Sequence, residues 1–194
     1  KSQQLKSTMI IDVMCCAMSA PKQEVLVLGE LKHQHKLLEE MKTRYEFKEF
    51  KSTRKDFVVE ATSKYENVTA ILLAHGAQEI INKFDTEVLD SLSPAINVIL
   101  VIGNASELVD VKVATGNGVF VADTSGKLNL SEEEIEHAAL DNLDFALITG
   151  VPKDPVNEIE EVKENAAEKA IELIEKLGSL STDELDVSDL TIKL

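Results

Sequence analysis

Tryptophan is absent from these 194 residues, and aromatic side chains make up only 4% of them. The core must therefore rest on Val, Ile, Leu, Ala and Phe, which a hydrophobic share of 44% supplies in ordinary amount. Cysteine occurs only as the adjacent pair Cys15 and Cys16. Neighbouring cysteines rarely bridge each other, so a disulfide framework is excluded and a reducing compartment is expected. Two thiols with no nearby histidine make no zinc site, which leaves packing or palmitoylation as their role. Basic residues are outnumbered 20 to 35, for a net charge of −15. Nucleic acid and anionic membranes are thereby disfavoured as partners, since both need clustered Lys and Arg. No run reaches the ~18 apolar residues of a membrane span. Residues 9–20 are apolar apart from Asp12 and follow Lys1 and Lys6, similar to a targeting segment; Asp12 argues against a secretory signal. The chain starts at Lys1, so residues 1–20 are expected to be a targeting remnant or an addition by design. The expected compartment is the cytoplasm, with the mitochondrion as the alternative.

What is present is an alternation of short apolar runs and amphipathic stretches. Residues 24–29 (EVLVLG), 45–50, 68–74 (VTAILLA), 97–102 (NVILVI) and 119–122 read as five buried strands. Between them, 31–44, 52–65 (capped by Ser52 or Thr53), 78–92 and 106–115 read as helix, or helix and loop. Strand and helix alternating over short links predict an α/β fold with a flavodoxin-like parallel five-stranded sheet and helices on both faces. Ligands of such sheets sit at the carboxyl ends of the strands, which singles out the turns at 29–32, 75–78 and 103–107. Beyond Gly126, residues 130–140 predict a helix capped by Ser131, with Ile135, Ala138 and Ala139 facing inward. The run 145–149 (FALIT) predicts a short strand. Residues 155–177 predict a long closing C-terminal helix, with Asp154 as cap, Pro155 in the first position and Gly178 as its stop. Residues 21–178 thus form one domain, and 179–194 an acidic tail.

The stretch 24–126 resembles the N-terminal part of NAD-dependent D-2-hydroxyacid dehydrogenases, notably the fungal glyoxylate-reductase-like branch. EVLVLGEL, FDTEVLDSLSPAINVILVIG and ELVDVKVATGNGVFVADTSG carry the resemblance in order. The last block is the most specific, with Asp110, Val111, Ala114, Gly118, Val121, Thr124 and Gly126 in register. The resemblance implies a substrate-side domain, completed in the family by a returning C-terminal helix that 155–177 resembles. It also implies a whole nucleotide-binding domain inserted after the Thr-Pro-Gly block, where this sequence has only 127–154. No G-x-G-x-x-G follows any strand. The family's substrate-binding Arg, its acid–base His and the carboxylate that orients that His all belong to the inserted domain. Only Arg44 and Arg54 occur here, neither in a matching motif, and Thr149-Gly150-Val151 stands where the late His-x-Gly would fall.

The substrate loop implied by the resemblance is Gly103-Asn104-Ala105-Ser106-Glu107, with Ala105 in place of a second glycine and Ser125 in place of the proline. Were a positive φ needed at Ala105, the residue would be strained by ~1 kcal/mol or more. His75 and Gly76, at a strand's carboxyl end, complete the candidate substrate-binding set of His75, Gly76, Gly103, Asn104 and Ala105; a solvated turn is the plain alternative for His75. His33 and His35 lie on different helix faces and make no metal pair. His137 beside Glu133 and Glu134 reads as a surface cluster, and 132–136 as a solvated acidic face. Ser125 has no paired base. Three functions follow: a degenerate, non-catalytic relative acting in binding or assembly; an NAD(P)-dependent reductase whose nucleotide domain is supplied elsewhere; or a small-carboxylate sensor. No cofactor or metal is expected for this chain alone. A small carboxylate ligand is expected, together with a homodimer or protein partner seated on the stripe of 155–177.

Overall fold

The computed structural model describes residues 22–127 and 129–159. The chain divides into two compact units, Lys1–Glu158 and Ile159–Leu194. The N-terminal segment with Cys15 and Cys16, most of the predicted closing helix and the acidic tail lie outside the described residues.

Five strands, β1 (Glu24–Leu28), β2 (Glu46–Phe50), β3 (Val68–Leu73), β4 (Val98–Val101) and β5 (Phe120–Asp123), form one sheet. Their order is β2-β1-β3-β4-β5, and every pairing is parallel. This is the flavodoxin-like arrangement, with its switch point between β1 and β3. The runs VLVL, AILL and VILV are buried at every position, as strands covered on both faces require.

Seven helices lie among the described residues: α1 (His35–Lys42), α2 (Arg54–Glu60), α3 (Ala77–Ile81), α4 (Thr86–Asp90), α5 (Ala105–Leu108), α6 (Val111–Gly116) and α7 (Glu132–Thr149). Alternate strand residues point to opposite faces. Leu26, Leu28, Ile71, Leu73, Ile99, Val101 and Val121 join Phe57, Ile81, Phe84, Val88 and Ala114 in one apolar core beneath α2–α6. Edge-on ring contacts of Phe57 with Phe50 and Phe84, 5.1 and 5.4 Å between centroids, take the place of the missing tryptophan. The opposite face is closed by α1 and α7, with Met41, Ala139, Leu140, Leu143 and Ala146 buried.

Thr53 is the cap of α2 and forms a reciprocal capping box with Asp56. The stretch 78–92 divides into α3 and α4 around Asn82, whose φ is +65°. The stretch 106–115 divides into α5 and α6, capped by Asn104 and Asp110.

Two expectations are overturned. Residues 145–149 are not a strand: they continue α7, an 18-residue helix with a Ser131–Glu134 capping box. Its buried positions 136, 139, 140, 143, 146 and 147 form one stripe with buried Asn142 at its edge, which places Ile135 and Ala138 at its margin. Nor does a helix begin at Pro155. Pro155 bridges Ala122 antiparallel, and Val156 N–H donates to Val121 O at 2.7 Å. Asn157 accepts from Val121 N–H at 2.7 Å and donates to Val119 O at 2.9 Å. The edge of β5 has ladder groups that need partners, and 155–157 supplies them.

Candidate functional site

The ends of β3, β4 and β5 and the start of α7 enclose a cavity of about 620 Å³, lined by His75, Ile102, Gly103, Asn104, Thr124, Ser125, Lys127, Glu132 and Ile135. The sheet creates it: each parallel strand delivers its following loop to the same rim. Three of the five predicted site residues, His75, Gly103 and Asn104, meet there. Gly76 lies beside them as the residue preceding α3, in the left-handed region at φ +80°. Ala105 does not face the cavity as a binding group. It opens α5, is buried, and donates its N–H to Asp123 Oδ2 at 2.9 Å. Among the described residues Asn82 alone of the non-glycines has positive φ, so Ala105 carries no such strain.

The loop after β4 is tied to the end of β5. Gly103 N–H donates to Thr124 Oγ1 at 2.8 Å, and Thr124 N–H donates to Gly103 O at 3.2 Å. Asp123 also accepts from Ser125 N–H and its hydroxyl, at 3.2 and 2.9 Å, which commits that serine to a turn. Ser106 N–H is taken by Asn104 Oδ1 at 3.1 Å. Asn104 lines the cavity, and no backbone hydrogen bond from its N–H is found among the described residues. Lys127, whose Nζ lies 3.9 Å from exposed Asp154, brings a cation to the same rim. Glu132 is turned toward His33 Nε2 at 3.3 Å.

The residue that the sequence hid is Glu136. It is not part of a solvated acidic face: its exposure is 0%. Its oxygens accept the N–H groups of Lys32, His33 and Gln34 at 2.8, 2.8 and 3.0 Å. Burial pushes its carboxyl up, but these three N–H bonds, helped by His75, hold it below the ordinary 4.5. His75 is likewise no solvated turn residue. Its Nε2 is buried 3.2 Å from Glu136 Oε1 and has no hydrogen bond among the described residues. The signal was present in the numbering: Glu136 precedes Ala139, Leu140 and Leu143 by three, four and seven residues, on the apolar stripe.

Both arginines make ion pairs within the fold. Arg44 makes a two-pronged bond to Asp144 at 2.7 and 3.1 Å, joining α1 to α7. Arg54 holds Asp85 and Glu87 at 2.7 Å each. Among the described residues no cluster of three metal-ligating side chains occurs. None of the described helices is long and apolar enough to cross a membrane.

No family model matches the chain. A Schizosaccharomyces pombe protein described as a 2-hydroxyacid dehydrogenase is 33% identical over 102 residues, 52% of this chain and 30% of the relative. A glyoxylate reductase from Paecilomyes thermophila superposes with a TM-score of 0.52 at 25% identity, over 66% of this chain and 38% of its own. The chain is similar to part of a 2-hydroxyacid dehydrogenase. The apo D-mandelate dehydrogenase of Rhodotorula graminis shares the fold, with a TM-score of 0.50 at 22% identity over 55% of this chain and 32% of its own. The chain spans about a third of the length of these 2-hydroxyacid dehydrogenase relatives.

Proposed function

We propose that the first unit is a degenerate 2-hydroxyacid dehydrogenase-like domain that binds a small carboxylate and that this 194-residue chain does not by itself transfer hydride. The observation that carries the binding half is the pairing of the Asn104 N–H with the Lys127 ammonium at one cavity. Together they offer a directed donor and a charge, the two things a carboxylate needs once water is displaced. The second half is supported by the sequence, which has no glycine-rich nucleotide loop, and by the two arginines, which are spent on ion pairs within the fold. On this reading, segment 127–154, which carries α7, would replace the family's inserted domain.

Thermal shift with glyoxylate and oxalate, beside fluorescence titration with NADH, tests both halves. Stabilisation by the carboxylates with no NADH response is the expected result. Saturable NADH binding with turnover of glyoxylate or hydroxypyruvate would replace the proposal with the reductase alternative. No response to any carboxylate would remove the binding site.

A further inference from the structure

Glu136 is the only charged side chain among the described residues that is fully buried. Three N–H groups of the 32–34 loop account for its ionisation. They do not account for His75. A clamp on the 32–34 loop needs no imidazole, yet the ring is brought from the end of β3 to within 3.2 Å of the carboxylate. Its Nε2 is shut away from water and lies 3.2 Å from the Glu136 carboxylate, so the nitrogen left to meet a ligand is Nδ1. A proton on Nε2 would leave the lone pair on Nδ1. Nδ1 has no hydrogen bond among the described residues, and the half-buried ring lines the same 620 Å³ cavity as Asn104 and Lys127.

We propose that His75, positioned by Glu136, is a proton acceptor that enolises a short 2-oxo acid held in this cavity. The proposal rests on the carboxylate-binding function above. With the acid's carboxylate on Asn104 N–H and Lys127, His75 Nδ1 takes a proton from C3. The C3–H electron pair becomes the C2–C3 double bond, and the carbonyl π pair moves onto oxygen. An enolate is left near the Lys127 ammonium, and an imidazolium beside the Glu136 carboxylate. Reversal returns a proton to C3. Nothing is oxidised or reduced and no co-reactant is consumed. In heavy water the methyl protons of pyruvate are replaced by deuterium.

The experiment is proton NMR of pyruvate in heavy water with the full chain, with oxalate titration as an independent measure of binding. Wild type should exchange the methyl protons about a hundredfold faster than buffer containing an equal concentration of imidazole. His75→Gln should return exchange to background even at oxalate-competable, saturating pyruvate. Glu136→Gln should lower the maximal exchange rate by about tenfold or more with half-saturation by pyruvate little changed, a split that a purely structural role would not produce. Should Glu136→Gln fail to fold, His75→Gln decides alone, because the buried His75 Nε2 makes no hydrogen bond among the described residues on which the fold would depend. Background exchange by wild type that binds oxalate overturns the acid–base role and leaves the binding site standing. Undiminished exchange in His75→Gln also overturns it. Failure to bind oxalate overturns the binding site and this role together.

Discussion

Two single residues show how closely the loops at the site are fitted. Gly29 follows β1 with φ +87°, and a Cβ there would collide with the backbone carbonyls of His75 and Ala74. Glu30 N–H donates to His75 O at 2.9 Å, so the first and third strand loops touch through backbone. Gly29→Ala should therefore cost at least about 2 kcal/mol, from left-handed strain and displaced backbone together, and denaturant unfolding will measure it. Glu136 contributes to the acid side of the stability profile, beside Glu49, Asp56, Asp85 and Glu134, whose carboxyls are also lowered. Its folded carboxyl lies below the unfolded value of 4.5, so the unfolded chain binds more protons as the pH falls. The stabilisation is present above that value and is lost as pH drops through the lower folded one. Thermal melts should show the midpoint falling steeply below pH 4.5, with a shallower fall in Glu136→Gln. Glu136→Ala leaves three N–H groups without their acceptor and should cost about 3 kcal/mol at neutral pH. None of this was legible from residue type, because a glutamate in the run EEEIE is usually solvated. Only its register with Leu140 and Leu143 marked it as inward.

At the scale of elements, the sequence showed the strands best. Parallel strands covered on both faces are continuous apolar runs, and each of the five is found within a residue or two of its expected span. Helix α7 was harder. FALIT is a five-residue apolar run that periodicity alone cannot assign. What decides it is the buried stripe running on through Leu143, Ala146 and Leu147, with Phe145 and Ile148 turned outward. Pro155 misled for a different reason. A proline after an aspartate is a good helix start locally, but the open edge of β5 offers it a tertiary partner. The seal can be tested at Asn157, whose amide satisfies both Val121 N–H and Val119 O. Asn157→Ala should cost about 1–3 kcal/mol and speed hydrogen exchange at the Val121 amide, while the β1 amides stay protected.

At the scale of the whole molecule, the parallel sheet brings the loops after β3, β4 and β5 to one rim, the place where ligands of such sheets bind. Fold and rim were readable because they follow from alternation and strand direction. The chemistry of the rim was less so, since Lys127 and the Asn104 N–H acquire meaning only when the loops after β4 and β5 are seen tied together. Lys127→Ala should weaken oxalate by about tenfold or more, the worth of one charge-assisted contact, in a calorimetric titration. The molecule's net charge of −15 repels anions at long range, so binding has to come from this local arrangement and should weaken little with added salt beyond the Lys127 contribution. The central claim is tested most directly by mapping an oxalate titration onto the backbone amides of the full chain. The account predicts saturable shifts centred on Gly76, Gly103, Asn104 and Lys127. Shifts that do not saturate, or that centre on the cleft between α1 and β2 around Leu38 and Phe47, would contradict it.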